Sequence, residues 1–68
     1  MKNVDFYPVM DYIVRKDFNE NGDMTIYVQK HGETIHTKTI LADTVKANPY
    51  YFVSKAIDET REIESERL

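Results

Sequence analysis

The chain has no cysteine and no tryptophan, and its 68 residues include only two glycines and two prolines. The absence of cysteine excludes disulfide bonds and thiolate metal ligands. Two glycines are too few for a glycine-rich phosphate loop. No apolar run approaches the roughly 20 residues of a membrane-spanning helix, and no apolar segment of the kind found in secretory signals follows the first residues. We therefore expect a single small domain over residues 1–68, located in the cytoplasm and without membrane contact.

The charge balance is mildly acidic, with 9 basic and 12 acidic residues and a formal net charge of −3. A protein that binds the nucleic-acid backbone generally presents a basic face, so this balance argues against a nucleic-acid partner. A domain this small, without disulfides, commonly gains stability from oligomerisation. We therefore expect a homodimer.

Both glycines lie between segments in which apolar and polar residues alternate, as they do in antiparallel strands. Gly22 and Gly32 supply the positive φ that tight hairpin turns require. The two turns predict a three-stranded antiparallel meander over residues 9–41. Residues 1–8 are predicted to be a leader, in which Pro8 marks a break or a strand entry.

Apolar matching sets the strand register. A three-residue loop over residues 20–22 pairs Phe18 with Met24 and Val14 with Val28, whereas a two-residue Asn-Gly turn would place these apolar residues opposite polar ones. For the second turn, a two-residue loop at residues 31–32 pairs Lys30 with Glu33, and a loop shifted by one residue preserves the same faces. The predicted buried face comprises Tyr12, Val14, Phe18, Met24, Ile26, Val28, Ile35 and Leu41.

After Leu41 the apolar spacing becomes helical. Residues 42–48 are predicted to be a connection, with one short helical turn capped by Asp43. Asn48 and Pro49 are typical of an N-cap and a first helical residue, and they predict a helix over residues 49–68. Its apolar stripe weakens after Ile63, so the last turn is expected either to fray or to reach a partner. The predicted fold class is α+β, in the order β-β-β-α, with the helix packed on one face of the sheet. The stripe comprises Phe52, Val53, Ala56, Ile57, Thr60 and Ile63.

One helix covers one face of the sheet, so the other face meets solvent or another molecule. The predicted register places Arg15 opposite Tyr27 and Tyr27 opposite His36, a row that could hold an anion or a base. Bulky apolar residues on the same face, among them Val9, are typical of a dimer patch. The candidate interaction face comprises Ile13, Arg15, Tyr27, His36, Lys38 and Ile40.

The predicted helix offers a second candidate surface, comprising Tyr51, Glu62 and Glu66. An exposed tyrosine is a common interface anchor. Carboxylates at Asp58, Glu59, Glu62, Glu64 and Glu66 indicate a solvated helix face, or alternatively a negative patch for a basic partner.

No residues form a recognisable catalytic, cofactor or metal constellation. The two serines lie in the predicted helix without a histidine beside them, and the two histidines have no evident third metal ligand. We interpret the chain as a non-enzymatic protein-interaction module, without cofactor or metal, that forms a homodimer and binds an unidentified protein. Two alternatives remain: a binder of nucleic acid or an anionic ligand through the open side of the sheet, and an accessory or inhibitor protein, typical of bacteria and phages, that acts through an acidic surface.

Overall fold

Among the residues that the structure describes, four antiparallel strands form one sheet in the order of the chain. The computed structural model describes residues 4–46 and 48–67. The strands are β1 (Val4–Val9), β2 (Tyr12–Phe18), β3 (Met24–Lys30) and β4 (Glu33–Ile40). Two helices follow, α1 (Ala42–Val45) and α2 (Pro49–Glu66). The predicted α+β class is confirmed, with four strands in place of three.

β1 occupies the segment predicted to be a leader, so that prediction is wrong for the described part of residues 1–8. It joins β2 through a two-residue turn that leaves Val9 paired with Tyr12. Met10 in this turn has a φ of +58°, which few residues other than glycine adopt. Because methionine takes the place of the usual glycine, the sequence did not indicate this hairpin. Pro8 is compatible with β1 because this strand lies at the edge of the sheet.

The hairpin between β2 and β3 has the predicted three-residue loop. Phe18 pairs with Met24 and Val14 with Val28. The Gly22 N–H donates to the Asn19 carbonyl at 3.0 Å, and Gly22 has a φ of +88°. The Asn19 side-chain oxygen also accepts two backbone N–H groups, at 2.9 and 3.0 Å. The apolar matching that rejected a two-residue turn is therefore confirmed.

The hairpin between β3 and β4 begins as predicted and then departs from the predicted register. His31 and Gly32 form the turn with φ values of +53° and +77°, and Lys30 pairs with Glu33. A β-bulge follows, because Gln29 pairs with residue 34 whereas Val28 pairs with residue 36. Because of this extra residue, each later side chain of β4 lies on the opposite side of the sheet from the one that simple alternation predicts.

The bulge determines which side chain at the end of β4 enters the core. Ile40 pairs with Met24 and is only 7% exposed, whereas Leu41 is 67% exposed. The prediction that Leu41 is buried and Ile40 faces outward is therefore wrong. The remaining predicted buried positions are in or against the core, with Phe18 and Ile35 partly buried beside it.

α2 packs its apolar stripe on this core and contacts β3 and β4. The helix begins as predicted, with the Asn48 side-chain oxygen accepting the Tyr51 N–H at 3.2 Å. Thr60 is fully buried, and its hydroxyl donates to the Ala56 carbonyl at 2.7 Å. α1 is not capped by Asp43. Instead, the carboxylate of Asp23 accepts the N–H of its first residue at 2.8 Å. The buried core comprises Tyr12, Val14, Met24, Ile26, Val28, Ile40, Val53, Ala56 and Ile57.

Candidate functional site

The side of the sheet opposite α2 presents a continuous surface from β1 to β4, which we call the open face. The strand register places on it Phe6, Pro8, Ile13, Arg15, Asp17, Thr25, Tyr27, Gln29, Thr34, Thr37 and Thr39. Its β1–β2 half carries exposed apolar side chains beside the charged pair of β2, with Phe6 61% and Ile13 44% exposed. Its β3–β4 half carries polar side chains that bond to each other: the Thr25 and Thr39 hydroxyls lie 3.3 Å apart, and the Gln29 amide donates to Thr34 at 3.2 Å.

Arg15 lies at the centre of the open face, paired across the strands with Phe6 and Tyr27. Its guanidinium lies 5.7 Å from the Phe6 ring centroid and 5.2 Å from the Tyr27 ring centroid, distances typical of cation–π contacts. Two of its nitrogens donate to the Asp17 carboxylate at 2.8 Å each. This hydrogen-bonded pair raises the pKa of Arg15. The predicted pairing of Arg15 with Tyr27 is confirmed, but Asp17 already neutralises the guanidinium.

His36, Lys38 and Ile40 lie on the helix side of the sheet, so the predicted face is wrong for these three residues. Tyr27 pairs with Thr37, not with His36. The sequence pattern therefore identified Ile13, Arg15 and Tyr27 correctly as residues of one face. It missed Phe6, Thr37 and Thr39, because neither the first hairpin nor the bulge is marked by a glycine. Val9 was also expected on this face but packs against the core.

Two of the displaced side chains of β4 contact a carboxylate of α2. The Nε2 of His36 lies 2.9 Å from an oxygen of Glu59, and Lys38 donates to both oxygens of that carboxylate at 3.1 and 3.0 Å. The contacts with His36 and then Lys38 lower the pKa of Glu59. Glu59 therefore links α2 to the edge strand β4. The prediction that Glu59 belongs to a solvated helix face is wrong.

The predicted helix surface, Tyr51, Glu62 and Glu66, lies on the exposed side of α2. Tyr51 contacts the neighbouring Phe52 ring edge-on, with centroids 5.1 Å apart. Glu62 and Glu66 are one helical turn apart, so their carboxylates project from the same side. This surface is thus exposed as predicted, and its binding role stays a prediction.

Near its C-terminal end, α2 contacts its own sheet through Glu64. Residue 68, where the predicted helix ends, lies outside the described residues. The Tyr12 hydroxyl donates to Glu64, and the Lys30 ammonium lies 3.5 Å from the other oxygen of that carboxylate. The hydrogen bond from Tyr12 is the main cause that lowers the pKa of Glu64, and the same bond together with burial raises the pKa of Tyr12. A cavity of about 470 Å³ opens beside these groups. Its lining residues are Tyr12, Lys30, Arg61, Glu64, Ser65 and Arg67.

Comparison of the chain with protein-family models, curated proteins and solved structures found no match. Within residues 4–46 and 48–67, no group of three or more histidine, aspartate or glutamate residues is placed to hold a metal ion. Neither of the two described helices is long and apolar enough to cross a membrane.

Proposed function

We propose that the protein is a non-enzymatic, cytoplasmic protein-interaction module that forms a homodimer through the open face of its sheet. The observation that carries the proposal is the charge of this face. Arg15 and Asp17 are its charged residues in the described register, and they neutralise each other. A chain with a net charge of −3 can therefore meet a second copy across this face without like-charge repulsion.

The shape of the open face also suits a symmetric partner. Four strands of about seven residues present a footprint of roughly 19 by 23 Å, and two such sheets pack face to face about 10 Å apart. In a two-fold dimer each face would contribute both its exposed apolar side chains and its hydroxyl-rich half. This footprint is at the small end for specific interfaces, so we expect a weak dimer that dissociates on dilution.

The alternative of an anion or nucleic-acid binder on the same face loses its chemical basis. It depended on Arg15, His36 and Lys38 acting together, but the two residues of β4 lie on the opposite side and contact Glu59. The alternative of an acidic docking surface is weakened, because fewer carboxylates of the helix are available to a partner. Glu59 and Glu64 contact cations of the sheet.

Sedimentation velocity over a range of concentrations tests the proposal with a matched pair of variants. Ile13→Lys puts a charge on the open face, whereas Leu41→Lys makes a similar change at an exposed position outside the sheet. We expect the wild type and Leu41→Lys to shift towards the dimer as concentration rises, and Ile13→Lys to remain monomeric with an unchanged circular dichroism spectrum.

The homodimer is contradicted if the wild type remains monomeric up to about 1 mM, where even a very weak complex is half formed. It is equally contradicted if the two lysine variants dissociate the dimer to the same extent. A third variant, Tyr51→Lys, separates the two candidate surfaces, because it weakens the dimer only if the helix surface forms the interface.

A further inference from the structure

The cavity at the end of α2 combines side chains from two parts of the chain. Tyr12 and Lys30 come from β2 and β3, and the other lining residues come from the last turns of α2 and from Arg67, which directly follows the helix. Its volume of about 470 Å³ lies within the usual range for small-molecule sites. Three of its lining residues are cationic and one is a carboxylate, which gives a local net charge of +2 in a chain whose net charge is −3.

The cations of this cavity retain donors for a ligand. No hydrogen bond or ion pair within the described part of the chain engages the guanidinium of Arg61. Arg67 has a long contact with Glu33, at 3.9 Å between two exposed side chains. Lys30 reaches Glu64 only at 3.5 Å, and that carboxylate also accepts the Tyr12 hydroxyl. The positive charge therefore exceeds what the local carboxylate neutralises.

The end of α2 does not by itself account for this cluster of cations, because Lys30 belongs to β3. A cation directly after the last turn of a helix is stabilised by the helix dipole, which accounts for Arg67, whereas Arg61 lies more than one turn before the end of α2. Lys30 projects from a strand instead, and its ammonium lies 5.6 Å from the Tyr12 ring centroid. The packing of the sheet against α2 therefore brings a third cation to the same cavity.

We infer that this cavity binds the phosphate group of a small phosphate monoester. Such a group carries a charge close to −2 near neutral pH, which matches the local charge of +2. Guanidinium groups present planar, paired donors that suit phosphate oxygens, and the Ser65 hydroxyl offers another donor at the same rim. The site lies on the helix side of the sheet, so it does not depend on the proposed dimer.

NMR titration of the ¹⁵N-labelled full chain with inorganic phosphate tests the inference. The ionic strength is held constant with sodium chloride, so that general screening does not contribute. We expect saturable shifts confined to the amides of residues 12, 30 and 61–67. Arg61→Gln and Lys30→Gln should each weaken binding about tenfold, the effect of one lost charge-assisted hydrogen bond.

Two controls distinguish binding at this cavity from nonspecific electrostatic attraction of phosphate to the protein. Lys55→Gln removes the same charge from an exposed position of α2 that does not line the cavity, and it should leave the affinity for phosphate unchanged. Glycerol phosphate should bind at least as tightly as inorganic phosphate, whereas dimethyl phosphate, with a single charge, should bind at least tenfold more weakly.

Three results would overturn the inference. Shifts that do not saturate would mean that phosphate has no site. Equal losses of affinity in Lys55→Gln and Arg61→Gln would indicate nonspecific attraction. Tighter binding of inorganic phosphate than of glycerol phosphate would show that the cavity does not accommodate an ester. Arg61→Lys, which keeps the charge, should recover part of the affinity that Arg61→Gln loses.

Discussion

At the residue scale, four turn residues with positive φ, counted over the described residues, allow the strands to fold back on one another. Two are glycines, Gly22 and Gly32, but Met10 and His31 adopt φ values of +58° and +53°. The left-handed conformation costs residues other than glycine about 1–2 kcal/mol. Pairing of the adjoining strands offsets this cost, so the turn at Met10 forms without the residue that normally indicates it.

The strain at Met10 leads to a prediction about stability. Met10 is 66% exposed, so replacing it removes little buried surface. Met10→Asn should stabilise the protein by about 0.5–1 kcal/mol, because asparagine tolerates the left-handed region. Met10→Val should destabilise it, because a β-branched residue tolerates that region poorly. Urea unfolding measures both changes, and similar shifts in the same direction would show that backbone strain at Met10 is not the cause.

At the element scale, the sequence predicts a register correctly only where apolar contrast distinguishes the alternatives. Between β2 and β3, one register pairs apolar residues and the other does not, and the structure follows the first. In β4 each alternating set contains apolar and polar side chains, so the pattern has little to select. In the bulged register, His36 and Lys38 both contact Glu59 of α2. These contacts join residues more than 20 positions apart. The alternation of residues within a single strand therefore does not predict them.

Truncation of two neighbouring residues tests the bulge directly. Ile40→Ala should cost about 2–4 kcal/mol because its side chain lies in the core. Leu41→Ala should cost less than about 0.5 kcal/mol because this side chain is largely exposed. Simple alternation along β4 requires the opposite ranking. The free energies of unfolding of the two variants therefore decide between the two registers.

The contact of Glu59 with β4 predicts a dependence of stability on pH. The pKa of Glu59 is lowered from 4.5 in the folded state, so its contribution is fully present above about pH 4.5. It is lost as the pH falls through the lower folded pKa. Glu59 is 34% exposed, so solvent screening limits the contribution to about 1 kcal/mol.

Comparison of two glutamine variants measures this contribution. Glu59→Gln should be less stable than the wild type at pH 7, and the two should converge as the solution becomes acidic. Glu62→Gln provides the control, because this carboxylate is exposed on the same helix. If Glu62→Gln reduces the acid dependence as much as Glu59→Gln does, the contacts with His36 and Lys38 are not its source.

At the scale of the whole molecule, the sheet separates two surfaces of different chemistry. The open face is neutral and partly apolar, whereas the cavity beside α2 carries a local charge of +2. Three residues of the predicted interaction face lie on the first surface, whereas the second surface was not predicted from the sequence. The cavity joins Tyr12 and Lys30 to residues 61–67, and no spacing within the chain indicates that these segments meet. Predicting it would have required the packing angle of α2 on the sheet.

This separation predicts that the two proposed binding events are independent. A ligand at ten times its dissociation constant stabilises the folded state by about 1.4 kcal/mol, which raises the midpoint of thermal unfolding by several degrees in a domain of this size. Phosphate should therefore raise the midpoint equally in the wild type and in Ile13→Lys. Of these two proteins, the wild type should also show a midpoint that rises with protein concentration, because it forms the dimer and Ile13→Lys does not. If phosphate stabilises the wild type but not Ile13→Lys, the cavity depends on the dimer and the two surfaces are coupled through the sheet. The two sites are separate if phosphate stabilises both proteins equally and the midpoint of Ile13→Lys does not depend on protein concentration. They would then lie on opposite sides of one four-stranded sheet.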